Sequence, residues 1–301
     1  MSVIHAGEAL LETGWARDVR VVLEGGRITS IETGATPQSG DYRTGILLPA
    51  PANLHSHAFQ RAMAGLTERR GADPSDNFWT WRKAMYAFLD ALTPDDVEAI
   101  AAFVQMEMLE AGYATNVEFH YLHHGPDGAA YDNLGEMSHR IAAAASQTGV
   151  GLTLLPVLYQ QGGCDGRPLG AGQIRFGNDV SQFERLVESA SEALKPLPAD
   201  TRLGISAHSL RAVSREGLAA CIALKPDAPL HMHLAEQTGE VDEVLASYGV
   251  RPTEWLLAHA DVDARWCLIH CTQMTDAETR ALARTGAVAG LCPITEGNLG
   301  D

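Results

Sequence analysis

The sequence predicts an α/β chain: a (β/α)8-type, TIM-like barrel that is incomplete at its C-terminus and preceded by a small β-sandwich piece. Three observations predict it. Short apolar runs bounded by turn residues alternate with longer helical stretches about seven times, the pattern of a parallel sheet with helical crossovers. Residues 1–47 lack that alternation and read as short strands and turns. The apolar runs stop at seven, where a closed barrel takes eight. A doubly wound open sheet shares the alternation and is the rival architecture.

In the N-terminal segment, 1–47, Asp18–Leu23 and Arg27–Ile31 alternate apolar and polar residues around the turn signal Glu24-Gly25-Gly26. A hairpin of that length needs something else to pack on. In the barrel segment, 48–301, the apolar runs are Ile46–Leu54 (which straddles the boundary), Thr115–Phe119, Gly151–Leu158, Arg202–Ala207, Pro229–Leu234, Trp266–Ile269 and Ala287–Leu291. Helices are expected over 94–112, 133–148, 179–194, 214–224, 239–258 and 275–285. Thr93 followed by Pro94 opens the first as N-cap and N1, and Thr275 with Glu278 has capping-box spacing.

With 301 residues, 46% of them hydrophobic, the chain can bury a full core. Its formal charge of −16, with no clustered Lys or Arg, disfavours nucleic acid and anionic membranes as partners. A small anionic substrate stays open, because one buried arginine can hold a carboxylate against the global field. The five cysteines form no CxxC pair and lie mostly in or beside apolar runs, as reduced thiols do. The N-terminus lacks a signal-peptide pattern, and no apolar run nears the roughly 18 residues of a membrane helix. A cytoplasmic protein is expected. The oligomeric state is not legible, and a homodimer is compatible with the sequence.

The residues with chemistry lie at the ends of the apolar runs, where β/α barrels place their active sites. Leu54-His55-Ser56-His57 ends the first. Residues i and i+2 of a strand share a face, so His55 and His57 can present two imidazoles to one ion. An isolated His-x-His is more often a pair of loop histidines; the position at a strand end argues otherwise. His231-Met232-His233-Leu234-Ala235-Glu236 ends the fifth run. His231 and His233 share a face, so spacing leaves open which is a ligand, and Glu236 falls where a carboxylate can reach an activated water. His270 ends the sixth run and His208 follows the fourth. A lone histidine there is commonly a core residue, but convergence at one rim is what a metal site requires. No GxGxxG, Walker or GxSxG motif is present, which argues against nucleotide phosphates and a serine nucleophile.

His-x-His after the first strand, His-x-x-Glu after the fifth and His after the sixth resemble the deaminase branch of the amidohydrolase superfamily. The stretches Pro49–Arg61, His231–Gln237 and Cys292–Asp301 sharpen this to the formimidoylglutamate deiminase family. That resemblance runs along nearly the whole chain. It implies a β-sandwich piece before a metal-bearing barrel, and hydrolysis of N-formimidoyl-L-glutamate to N-formyl-L-glutamate and ammonia. It implies His55, His57 and His233 as metal ligands, Glu236 as proton shuttle and His270 as the group orienting water. Gln60, Arg82, Tyr121, His208 and Arg211 match positions lining the substrate pocket. Arg82 and Arg211 would clamp the two carboxylates of a small dicarboxylate substrate; taken alone, Arg82 also fits a surface helix cation. Zinc suits the ligand set, and iron or manganese would fit as well.

The same resemblance places a further ligand, an aspartate, at the end of an eighth strand that would follow Asp301. Asp301 itself falls in the loop after strand seven. A shortened deaminase is therefore expected, poorly active or inactive, with exposed edges on strands one and seven. Deaminases of guanine, cytosine or adenosine derivatives, and a non-catalytic barrel that keeps the fold, are the alternatives.

Overall fold

In the computed structural model, which describes residues 1–67 and 78–299, two prolines divide the run expected as one strand at Ile46–Leu54. Pro49 and Pro51 carry no N–H for a ladder, so the run splits between two sheets. The chain separates into the units Met1–Pro51 and Ala52–Asp301.

The first unit, expected as a β-sandwich piece, is a single mixed sheet of four strands. Strands β1 (Ser2–Leu11) and β2 (Gly14–Glu24) pair antiparallel, as do β2 and β3 (Arg27–Glu32), whereas β4 (Tyr42–Leu47) runs parallel to β1. Gly25 and Gly26 have φ of 56° and 78°, the left-handed pair that a two-residue hairpin turn needs. Ala6, Ala9, Val19 and Val21 form its small core.

The second unit holds β5 (Ala52–Ser56), β6 (Thr115–His120), β7 (Gly151–Leu158), β8 (Arg202–Leu203), β9 (Ile205–Ala207), β10 (Leu230–Leu234), β11 (Trp266–His270) and β12 (Val288–Gly290). All pairings are parallel, in the order β12-β11-β10-β9-β7-β6-β5, with β8 beside β7. Spatial order follows chain order, and a doubly wound sheet would reverse it at a switch point. The sheet also curls. β11 and β5 are five ladder steps apart, about 24 Å in a flat sheet, yet the rings of His270 and His55 lie 6.1 Å apart. This is a nearly closed β/α barrel of seven parallel strands among the described residues.

The helices are α1 (Phe78–Leu89), α2 (Pro94–Glu110), α3 (Glu136–Thr148), α4 (Val180–Leu194), α5 (Arg215–Leu224), α6 (Thr238–Tyr248), α7 (Pro252–His259), α8 (Asp276–Ala283) and α9 (Pro293–Leu299). The expected caps at Thr93 and Thr275 are present, each a reciprocal capping box with residue N3. The helix expected over 239–258 is two, because Gly249 ends α6 in the left-handed conformation (φ 76°) and Pro252 opens α7. The segment after the seventh strand, expected as loop, forms α9 up to Leu299; Gly300 and Asp301 lie outside the described residues. Two apolar cores sit between sheet and helices, one around Phe119, Leu122 and Leu155, the other around Leu230, Met232 and Trp266. Among the described residues no helix is long and apolar enough to cross a membrane, and all five cysteines are free.

Candidate metal and substrate site

Parallel strands end at one rim, so their last residues face a common cavity. That cavity, about 500 Å³, is lined by every residue that the resemblance assigns to metal, proton or substrate. His55 and His57 come from β5 and the residue after it. His55 Nε2 lies 3.0 Å from His57 Nε2 and 3.1 Å from His233 Nε2. His55, His233 and His270 each offer a ligand atom, all within 4.8 Å of one another. His57 and His231 both stand outside that group: His57 reaches it through its contact with His55, and His231, left open beside His233 by spacing, is buried with Nδ1 unpartnered.

The rings are set for a cation. His57 Nδ1 donates to the Phe119 carbonyl (3.0 Å) and His233 Nδ1 to the His208 carbonyl (3.1 Å). A carbonyl only accepts, so the proton of each ring sits on Nδ1 and its Nε2 presents a lone pair inward. Burial keeps these imidazoles neutral: it lowers the pKa of His57 to about 4, against a small rise from its Phe119 bond. Burial first, then the neighbouring histidines, holds His55 and His233 well below the usual range. The single Nε2 of His55 faces two lone pairs and can donate to only one. A divalent cation beside His55 Nε2 resolves that conflict, since Zn–N bonds of about 2.0–2.1 Å bring ligand nitrogens to about this separation. The donor set therefore fits a metal ion.

Beside these histidines stand His270 and two carboxyl groups, those of Glu236 and Glu296. Glu236 Oε1 lies 3.4 Å from His270 Nε2, and His270 Nδ1 is 3.2 Å from Glu296 Oε1; all three carboxyl and ring groups are largely enclosed. Ala235, His270 and Cys271 adopt positive φ (50°, 73° and 57°). Non-glycine residues rarely sit there, and such strain gathers where side chains must be aimed.

The far wall carries the substrate candidates. Arg82 is half-buried on α1, its Nε donating to the Tyr86 hydroxyl and its Nη2 to the Tyr159 hydroxyl at 3.2 Å. It is therefore not the surface cation that its sequence context also allowed. Arg211 is 8% exposed, and its Nε has no hydrogen-bond partner. Burial works to lower its pKa, but the attraction of Glu240, Glu236, Tyr159 and Glu243 outweighs it and the guanidinium stays charged. Gln60 Nε2 donates to the Tyr121 hydroxyl at 3.1 Å. His208 is held well below the usual imidazole range by burial first and then by Arg211 and Arg82.

Residues 46–301 match the amidohydrolase family, and the chain belongs to it. Residues 1–45 match the N-terminal domain of formimidoylglutamate deiminase HutF. Formimidoylglutamate deiminase of Pseudomonas aeruginosa is 48% identical over 303 residues, covering all of this chain and 66% of that protein. The crystal structure of an amidohydrolase from Brucella melitensis superposes with a TM-score of 0.97 at 51% identity, covering 100% of this chain and 67% of that one. The chain thus spans about two thirds of the length of these relatives. Atrazine chlorohydrolase TrzN from Arthrobacter aurescens TC1, solved with zinc, shares the fold at a TM-score of 0.81 and 18% identity, over 100% of this chain and 67% of its own.

Four residues around the site went unread in the sequence. Glu118 lies on β6, 2% exposed, and accepts the Ala58 amide at 2.7 Å just behind the His-x-His segment. Burial, partly offset by bonds from Ala58, Ser56 and Asn116, raises its pKa to about 7. A carboxylate inside an apolar strand was the available signal. Tyr159, Glu240 and Glu296 had none, because their partners are distant in sequence or set by loop geometry.

Proposed function

We propose that this protein hydrolyses N-formimidoyl-L-glutamate to N-formyl-L-glutamate and ammonia, with His55, His57 and His233 holding a divalent metal, zinc by preference and iron or manganese by the same donor logic. A metal bound there supplies Lewis acidity that brings the pKa of water towards about 7.

The observation that carries the reading is the pairing, in one cavity, of neutral histidines with two arginines, Arg82 and Arg211. A buried guanidinium whose Nε lacks a partner calls for an anion. Arg211 is such a group, and with Arg82 in the same cavity the pair of cations matches a dicarboxylate better than a nucleobase, which needs amide and aromatic contacts. Arg211 and Arg82 then hold the two carboxylates and direct the formimidoyl end towards the histidines. Glu236 takes a proton from the water attacking the formimidoyl carbon and delivers it to the imine nitrogen. Glu236 then carries the remaining hydroxyl proton of the tetrahedral carbon to the same nitrogen, so that the C–N bond breaks, ammonia leaves, and the formyl C=O forms. His270 Nε2, next to Glu236, hydrogen-bonds the attacking oxygen and steadies its charge.

Ammonia release is the test. The purified protein with added zinc is incubated in parallel with N-formimidoyl-L-glutamate, guanine, cytosine and adenosine. Release from the first alone is expected, with loss of at least about a hundredfold in kcat/KM on Arg211→Met. Release from a nucleobase but not from the amidine would overturn the assignment.

A further inference from the structure

Glu240 carries a fully buried carboxylate, 0% exposed, in the first turn of α6. It reaches back over the helix start: Oε1 accepts the Ala235 amide and Oε2 the Glu236 amide, each at 3.1 Å. Those two consecutive N–H groups converge because Ala235 is in the left-handed conformation, φ 50°. The carbonyl side of the same turn is tied to the neighbouring rim: Cys271 donates to the Leu234 carbonyl at 3.0 Å and Gln273 to the Ala235 carbonyl at 2.8 Å. The turn is gripped from both sides, by main-chain groups on one and by the Glu240 carboxylate on the other.

We infer that Glu240 is a positioning residue for Glu236, holding the Ala235–Glu236 backbone in the left-handed turn that aims the Glu236 carboxylate at His270. The inference rests on the reading of Glu236 as proton shuttle. Two parallel acceptors meeting two adjacent donors is a fit only a full-length carboxylate gives. A glutamine would set its NH2 against one of the amides, and an aspartate falls a methylene short.

Two variants and two readouts test it. Hydrogen exchange over residues 231–239 reads the grip directly: both Glu240→Gln and Glu240→Asp should exchange there faster than wild type by at least about tenfold, with the rest of the barrel unchanged. In turnover, Glu240→Asp keeps the charge that Arg211 feels, so kcat should fall by roughly 10- to 100-fold while KM stays within about threefold. Glu236→Ala with Glu240→Asp should be no slower than Glu236→Ala alone, because Glu240 acts through Glu236. Unchanged exchange in 231–239, or losses that multiply in the double variant, would overturn the assignment. Absence of ammonia release in wild type would count against the deiminase reading alone, since the exchange measurement still decides the role of Glu240.

Discussion

The main-chain carbonyl of His208 accepts the Nδ1 proton of His233 at 3.1 Å and the His233 amide at 3.0 Å. One oxygen thereby fixes both the strand position and the tautomer of a candidate ligand, while the His208 side chain is left to the substrate cavity. Ligand and support separate cleanly on mutation. His208→Ala should keep about one metal ion per chain and His233→Ala much less, by elemental analysis after dialysis. Equal metal loss in the two variants would contradict this division of labour.

Arg82 is supported by two phenols, those of Tyr86 and Tyr159. Its Nη2 donates to the Tyr159 hydroxyl at 3.2 Å, and the same hydroxyl accepts Gln173 Nε2 at 2.7 Å. A phenol accepts from a guanidinium without neutralising it. Tyr159→Phe removes one support while Tyr86 retains the other, so KM for formimidoylglutamate should rise about tenfold, near 1.4 kcal/mol, with kcat little changed. Gln173→Ala should move KM the same way by less. A fall in kcat at constant KM would place Tyr159 in the chemistry instead.

Those two sites mark where sequence reading succeeds and where it stops. His55, His57, His233 and His270 were legible because a strand's two-residue period and its C-terminal end fix both direction and place. The caps at Thr93 and Thr275 were legible because a capping box is local. The barrel expected from the sequence is the fold found, although alternation alone did not separate it from an open sheet, because the strands that the curl brings together lie more than 200 residues apart. Helix α1 lacks an acidic first turn, so Arg82 had no assigned side. The break at Gly249 and Pro252 was written in the chain and passed over.

The pH dependence of stability follows from buried histidines away from the rim cluster. His120 is 3% exposed, its Nε2 has no partner, and burial lowers its pKa to about 3. The unfolded chain binds this proton near pH 6.5 and the folded chain only near 3, so stability is full above 6.5 and is lost as pH falls from 6.5 towards 3. Between pH 7 and pH 5 one such group removes about 2 kcal/mol. His120→Leu should flatten that part of the profile by about this amount, read by urea unfolding at the two pH values. Parallel profiles for variant and wild type would show that His120 does not titrate this way.

Arg175 has 1% of its surface exposed and no carboxylate among its recorded hydrogen bonds. Its guanidinium donates to the carbonyls of Leu89, of Leu92 (3.0 Å) and of His124 (2.8 Å), gathering the end of α1 and the segment after β6. A planar five-donor fork spans three directions at once, whereas an ammonium on a flexible stem cannot. Arg175→Lys should therefore cost about 2–3 kcal/mol in urea unfolding, the range for losing hydrogen bonds to a charged group in a buried place. Because Leu89 ends the helix that carries Arg82, the same change should raise KM for the dicarboxylate more than it alters kcat. A loss of stability under about 0.5 kcal/mol, the size of an ordinary surface substitution, would show that the three carbonyls do not need the guanidinium.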